Sequence, residues 1–434
     1  MPKITSWGKV CTVDSSIAYP ATLDDIKIAK NKPNLAIGLR RSYGTSCLLD
    51  NGNLIDMNRL RNVISFDNKK GIFHAHAGIS LAEILSIIIP AGWFLPVTPG
   101  TKFVTLGGAI ANDVHGKNHH INGTFAKYVK SIELQRSDTP LTICTPTKNK
   151  QMFNATVGGL GLTGVIQSAK IQLIPIRSTN LITEDIKFYN IDDFLTLSEE
   201  SNDWPYTVAW VDCMSQGHSL GQGIFSRGKF IEDDELEYVP PQQKLSIPFD
   251  VPNFVLNTAT VKMFNYLYYR KQFDDIKERL QNYDSFFYPL DSIHSWNRLY
   301  GKNGFYQYQC VIPKKDAKDT LEELLDVISS SGQGSFLAVL KTFGSIKSSG
   351  LLSFPMEGVT LALDFKNSDG ILDLFSKLDD IVVSAKGRLY PAKDGRIPPA
   401  LFKKFYPKWE ELEDCRDSNI NSKFWQSVLS DEKN

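Results

Sequence analysis

The chain has 434 residues, 42% of them hydrophobic, which is more than one ordinary core holds; two domains are expected, one of them discontinuous. Lysine plus arginine equals aspartate plus glutamate at 48 each, so no global field draws nucleic acid or an anionic membrane, and a charged partner must be met locally. The six cysteines, at 11, 47, 144, 213, 310 and 415, never form a C-x-x-C pair, a pattern of reduced thiols rather than of a disulfide framework.

The start, MPKITSWGKVCTVDSS, has no apolar run after its lysines, which argues against a secretory signal. Thr22 followed by Asp25 predicts a short helix over TLDDIKIAK, and LAIGL after Pro33 reads as a strand ending in the loop RRSYGTS. In GIFHAHAGIS, Phe73, Ala75 and Ala77 alternate with His74 and His76, so the strand turns its histidines away from the core, toward solvent or a hydrogen bond. Ser80 and Glu83 form a capping box for SLAEILSIII, which Pro90 ends. The apolar stretch LSIIIPAGWFLPV is broken by Pro90 and Gly92 well short of the roughly 18–20 residues a membrane span needs. VTPGTKFVTLGGAIAND then packs glycine and proline around Thr101 and Thr105, a density that means close backbone approach to a ligand.

QSAKIQLIPI alternates as a strand up to Pro175, and TVAWVDC, FFYPLDSIHSW and GFYQYQCVIP read as strands of a second sheet. A helix capped by Thr320 and Glu323 precedes SFLAVLKTFG, and ILDLFSKLDDIVVSAK is a helix stopped at Gly387. Helices and strands mix without a steady βαβ rhythm, so the fold class is α+β.

Three short motifs invite sharper readings. Gly159, Gly161 and Gly164 spell G-x-G-x-x-G with Glu184 twenty residues on, but a dinucleotide fingerprint needs a helix after the glycines and a strand pattern follows. GHSLG offers Ser219 as a nucleophile with His294 as its base, making a serine hydrolase the reading from another class; the glycines that follow favour a hairpin tip. His115 and His119 with Asp113 could ligate zinc, yet Gly116 breaks the helical spacing and no cysteine lies near, so no metal is assigned. The loops RRSYG and TPGTK…TLGGA each present consecutive N–H groups that could nest a diphosphate.

GLRRSYG, PVTPGTKFVTLGGAIANDVHGKNHH, ATVGGLGLTG, SWNRLYG, YQYQ and GRLYPAKD, in this order from about residue 35 to the C-terminus, resemble the decaprenylphosphoryl-β-D-ribose 2-oxidase family of the vanillyl-alcohol-oxidase superfamily, flavoenzymes of the PCMH type. The resemblance implies an FAD domain over 1–179 and 388–434 enclosing an antiparallel-sheet substrate domain over 180–387. It places FAD against Arg40, Arg41, Ser42, Tyr43 and Gly44, against Gly100 and Thr101, and against Thr105, Leu106, Gly107 and Gly108. Asn112, Asp113, Val114, His115, Ile166 and Tyr390 would flank the flavin end. Lys117, Gln307, Gln309, Lys341 and Tyr390 match the substrate pocket. Lys393 and His115 are implied to stand at the reacting atoms, and His119 and His120 are expected to hold the loop.

Flavin oxidation of a secondary alcohol moves a hydride to N5 while a base takes the hydroxyl proton and a cation offsets the charge gained. Lys393 suits that role, since burial near other cations can bring its pKa toward neutrality. The implied reaction is oxidation of the ribose 2-hydroxyl of a polyprenylphosphoryl-β-D-ribose to a ketone, an epimerisation toward a cell-wall arabinan precursor completed by a short-chain dehydrogenase/reductase partner. The alternative within the fold is an aldonolactone or polyol oxidase acting on a soluble sugar.

Relatives that tether flavin do so through histidine or cysteine in the two loops; Thr45 and Asn112 stand there in this chain, so non-covalent FAD is expected. Arg40 replaces the glycine that the family carries in GLGRSYG, and Ala362 stands where mycobacterial members carry cysteine, so inhibitors that bond that thiol should not capture this chain. The segment 247–271, IPFDVPNFVLNTATVKMFNYLYYRK, is aromatic with a basic end: it either lies on a bilayer surface or covers the substrate sheet. The expected location is the cytoplasm, with peripheral contact at the inner face of the membrane as the open alternative.

Overall fold

A computed structural model describes residues 2–232, 236–241, 245–252, 254–393 and 395–430. Asp394 of the GRLYPAKD motif and Asn253 of the aromatic segment lie outside the described residues. The N-terminal third builds a parallel three-stranded sheet from Ser16–Ala18, Asn53–Asp56 and Asn34–Ile37. Beside it is an antiparallel five-stranded sheet in the order Thr142–Cys144, Val129–Gln135, Val165–Gln172, Ile72–His76, Val63–Asp67. An eight-stranded antiparallel sheet takes its strands from residues 180–389, in the order Ile276–Asn282, Asn180–Phe188, Gly223–Phe230, Tyr206–Val211, Ala338–Phe343, Gly358–Lys366, Phe305–Pro313, Arg388–Leu389. Mixed helices and antiparallel sheets make the α+β class.

Strand alternation gives the large sheet two unlike faces. The cross-strand row Phe225, Ala209, Leu340, Leu361, Cys310 is buried against helices Ile191–Glu200, Ala317–Ser331 and Ile371–Ser384. Truncating a leucine in such a row costs about 2–5 kcal/mol. One residue out of register, the row Ile224, Trp210, Val339, Ala362, Gln309 faces the other way and lines the main cavity. The C-terminal helices Pro399–Phe405, Trp409–Cys415 and Lys423–Ser430 return to the N-terminal sheets: Asn34 N donates to Asn419 O at 2.8 Å, Asn421 N donates to Asn34 O at 2.9 Å, and Asp417 accepts from Ser137 N and Ser137 Oγ, both at 2.6 Å.

The capping-box helix is Leu81–Ile88, with Ser80 and Glu83 in place, and the strands at 34–37, 72–76, 165–172, 206–211 and 305–313 lie where alternation puts them. Four segments differ. TLDDIKIAK forms only the turn Leu23–Asp25, because the Asn34 side chain takes Ala29 N at 3.0 Å and donates to Ala29 O at 2.8 Å, holding the following residues extended. FFYPLDSIHSW is helix Tyr283–Phe287 and turn Pro289–Ser292, with strand only at Ile293–His294; its aromatics are core, and Pro289 opens a turn. The helix expected to start at Thr320 begins at Ala317, leaving Thr320 buried inside it. Helix Ile371–Ser384 ends before Gly387, and it is Lys386 that takes the left-handed φ of 57°. All six cysteines are free, and no described helix is long and apolar enough to cross a membrane.

Candidate active site

Strand Asn34–Ile37 delivers the chain into the turn Gly38–Gly44, and helix Leu106–Ala111 starts beside it. The two are in contact: a Cβ on Gly38 would lie 2.3 Å from Thr105 Oγ1, the atom that caps the helix by accepting Gly108 N at 3.1 Å. Gly107 is pinned against strand Ile72–His76, its N–H donating to Ala77 O at 2.8 Å. The intervening loop is held by Asp291, whose carboxylate accepts from Thr101 Oγ1 at 2.7 Å and Lys102 N at 2.8 Å, while the Lys102 ammonium pairs with Asp284. Arg41 lies 3.9 Å over the Trp7 ring and donates to Phe103 O at 3.1 Å. The backbone N–H groups of Arg40, Arg41, Ser42, Gly100 and Thr101 have no protein acceptor among the described residues, and a Cβ on Gly100 would meet nothing within 4 Å. Two such turns facing one space form an anion nest.

That space is a cavity of about 670 Å³ between the glycine turns and the polar face of the large sheet. At its inner end His115 packs against Phe343, Phe354 and Tyr390 at ring distances of 4.8, 5.7 and 5.5 Å. Its tautomer follows from its neighbours. The Thr360 hydroxyl donates to Cys310 O at 2.7 Å, so it must accept from Gln309 Nε2 at 3.3 Å; the same amide therefore donates to His115 Nε2, also at 3.3 Å. The proton resides on Nδ1, which is buried and has no partner among the described residues. Burial, with Lys341, His119 and Lys393 nearby, holds the His115 pKa well below the usual histidine range, so the ring is neutral. Tyr390 stacks on Phe354 at 4.6 Å and donates to Asn112 O at 3.2 Å.

Lys393, Lys341 and Lys117 face the same space. Lys393 Nζ is 4.4 Å from the Tyr43 ring centroid, and Tyr43 N donates to Ala392 O at 3.2 Å, tying the lysine's segment to the first turn. Burial lowers the Lys393 pKa; the opposing charge is the Asp364 carboxylate, not another cation as the sequence suggests, and Asp364 is itself raised by burial while accepting from Gln307 Nε2 at 2.6 Å. Both shifts point toward neutrality. Burial and Lys393 bring Lys341 down to about 8, and burial and Lys341 bring Lys117 down to about 7. Lys117 donates to Phe286 O at 2.5 Å.

Of the residues singled out in the sequence, Arg40 to Tyr43, Gly100, Thr101, Thr105, Gly107, Gly108, Asn112, Val114 and Ile166 line the cavity on the side of the turns. His115, Gln307, Gln309, Lys341, Tyr390 and Lys393 converge at its inner end and along the sheet, and Lys117 lines it farther out, beside Phe286. Gly44, Leu106 and Asp113 lie outside the lining: Leu106 is in the apolar core, and Asp113 accepts from Ala126 N at 2.9 Å and from the hydroxyls of Ser348 and Ser353. His119 packs on Phe343 at 4.6 Å, and His120 Nε2 donates to Trp204 O at 2.9 Å. Gly164 is followed by strand Val165–Gln172 rather than a helix, Ser219 sits on an exposed turn before strand Gly223–Phe230, and His294 bonds to Ser295. Among the described residues no three His, Cys, Asp or Glu side chains converge as metal ligands. Asp364, Asp185, Lys271 and Arg279 line the cavity and carry no motif; for Asp364 and Asp185 the available signal was position, each sharing a strand face with a predicted residue or with the cavity row.

Residues 21–145 match the FAD binding domain family. The chain is 36% identical over 428 residues to decaprenylphosphoryl-beta-D-ribose oxidase of Mycolicibacterium smegmatis, covering 94% of this chain and 92% of that protein. It is 30% identical to an uncharacterised Streptomyces coelicolor protein over 81% of this chain and 99% of the other. With L-gulonolactone oxidase of Scyliorhinus torazame the identity is 24% over 39% of this chain and 40% of that protein. With an FAD-binding domain whose glycine turns face a lysine-rich cavity, the chain belongs to the decaprenylphosphoryl-β-D-ribose oxidase family of FAD-dependent oxidoreductases.

Proposed function

We propose that this protein oxidises the ribose 2-hydroxyl of a polyprenylphosphoryl-β-D-ribose to a ketone, with non-covalently held FAD as hydride acceptor. The observation that carries the reading is half-buried Lys393 and buried Asp364, which line with His115 and Gln309 the inner end of the cavity that the two glycine turns close. The residues fit FAD: free N–H groups of Arg40, Arg41, Ser42, Gly100 and Thr101 suit its diphosphate, and the unpartnered Nδ1–H of His115 suits an acceptor at the flavin end. When bound, FAD supplies the hydride acceptor. Lys393, neutral at the moment of reaction, takes the hydroxyl proton; Gln307 holds the nearby Asp364, whose charge favours the protonated lysine, and Gln309 holds the His115 ring so that its N–H is the donor. Lys341, charged beside them, offsets negative charge gained at the inner end.

Thr45 and Asn112 support a non-covalent cofactor, since neither side chain can form the flavin bond; acid precipitation should leave the flavin in the supernatant. On this reading 1–179 and 388–434 form the FAD domain and 180–387 the substrate domain, and a short-chain dehydrogenase/reductase completes the epimerisation. The location is the cytoplasm, with the exposed aromatic face of helix Thr258–Arg270 lying against the inner membrane surface. The deciding test is anaerobic: polyprenylphosphoryl-β-D-ribose should bleach the flavin within one turnover and yield the 2-keto sugar, whereas bleaching by aldonolactones or polyols alone would assign the chain to soluble sugars.

A further inference from the structure

The outer end of the cavity, away from Lys393, has a charge pattern that the hydride chemistry does not use. Lys117 stands with Nζ 4.1 Å from the Phe286 ring, making one hydrogen bond to the Phe286 carbonyl. Lys271, at the C-terminal end of helix Thr258–Arg270, has Nζ 3.5 Å from the Tyr268 ring centroid and no hydrogen-bond acceptor among the described residues. Arg279, on the edge strand Ile276–Asn282, gives Nη2 to Asp185 at 2.6 Å, and Asp185 also takes the Ser226 hydroxyl at 2.5 Å. These two bonds fix Asp185 as a bracket for Arg279. Here Lys117, Lys271 and Arg279 face that single carboxylate, with Lys341 further in.

Lys271 and Arg279 are exposed and Lys117 is half-buried; together they outnumber the one carboxylate, so the net positive charge favours an anion, toward which the ammonium N–H donors not engaged by the aromatic faces can turn. The polarity of the surroundings gives the direction of the rest of the ligand. Leu267, one helical turn before Lys271, is 59% exposed and Phe273, two residues after it, is 91% exposed, so an apolar tail leaving the cluster has a surface beside it.

Building on the function proposed above, we infer that Lys117, Lys271 and Arg279 seat the phosphate of the substrate, with its hydrocarbon chain leaving over Leu267 and Phe273. The cluster selects phosphorylated lipids over free sugars, and it acts on binding rather than on hydride transfer.

The test uses the holoenzyme and farnesyl phosphate, which lacks the sugar, with farnesol as the uncharged control. Lys271→Gln and Arg279→Gln should each raise the Kd for farnesyl phosphate at least ten-fold, leave farnesol binding and flavin content unchanged, and raise KM for a polyprenylphosphoryl ribose with kcat preserved. Equal affinity in wild type and both variants, or parallel loss of farnesyl phosphate and farnesol, overturns the inference. Vesicles of phosphatidylglycerol separate the other source of phosphate: if the variants lose vesicle binding but keep farnesyl phosphate, the cluster reads membrane headgroups and the inference fails. If no ribosyl phosphate bleaches the flavin while farnesyl phosphate still binds through Lys271, the sugar chemistry is wrong and this subsite stands. If ribosyl phosphates bleach it with an unchanged KM in Lys271→Gln, the chemistry stands and the subsite is wrong.

Discussion

The two walls of the cavity recognise by different means. The wall of turns, Gly38–Gly44 and Gly100–Gly108, offers main-chain N–H groups and has no room for a side chain at Gly38, where an added Cβ would lie 2.3 Å from Thr105. The sheet wall offers side chains, Gln307 and Gln309 two residues apart on one strand and Asp364 and Lys341 on the next two. A wall of backbone is rigid and indifferent to charge state, whereas the half-buried lysines and the carboxylate facing the cavity respond to pH. Cofactor retention should therefore depend on shape and turnover on protonation.

The largest expected effect separates the two. Lys393→Ala should keep its flavin and lose about 10²–10⁴-fold in kcat; absorbance and single-turnover kinetics check this, and a near-normal rate would move the proton acceptor elsewhere. On the opposite wall, Gly38→Ala should cost about 1–3 kcal/mol through overpacking against Thr105, visible as lower FAD occupancy with kcat per bound flavin unchanged. Next comes pH. Raising it through about 7 to 8 removes the protons of Lys117 and Lys341, so KM for a phosphorylated substrate should rise. The lowered pKa of Lys393 makes more of it neutral as pH rises, so kcat should rise and then fall once Lys341, near 8, loses its charge; a kcat that falls throughout would mean that the charged form of Lys393 is needed. The smallest effect concerns Arg40, held at a left-handed φ of 50°. That conformation costs about 1–2 kcal/mol for a side-chain-bearing residue, partly offset by the greater freedom of glycine in the unfolded chain. Arg40→Gly should raise the melting temperature of the apoprotein slightly, and a clear drop would show that the guanidinium holds the turn.

The same contrast explains what could be read from the sequence. The turns were visible because close backbone approach demands glycine, and RRSYG and TLGGA carry that demand in consecutive residues. The α+β class, the capping box at Ser80 and the alternating strands were visible for similarly local reasons. Asp364, Asp185, Lys271 and Arg279 were not, since a charged residue on a strand or helix end looks the same whether it faces water or a cavity. The segment after Thr22 was misread because its conformation is set by the side chain of Asn34, and FFYPLDSIHSW because aromatic residues serve a core equally well from a helix.

Asn34 has one more implication. It opens the strand that leads into Gly38–Gly44, yet its backbone is tied to Asn419 and Asn421, and Tyr43 is tied to Ala392. The first ligand-gripping turn is thus assembled from segments 385 residues apart, and a ribosome must pass Asn421 before the grip exists. Flavin capture then waits for that late segment, and truncation before Asn419 should yield a colourless product even though every glycine of the turn is present.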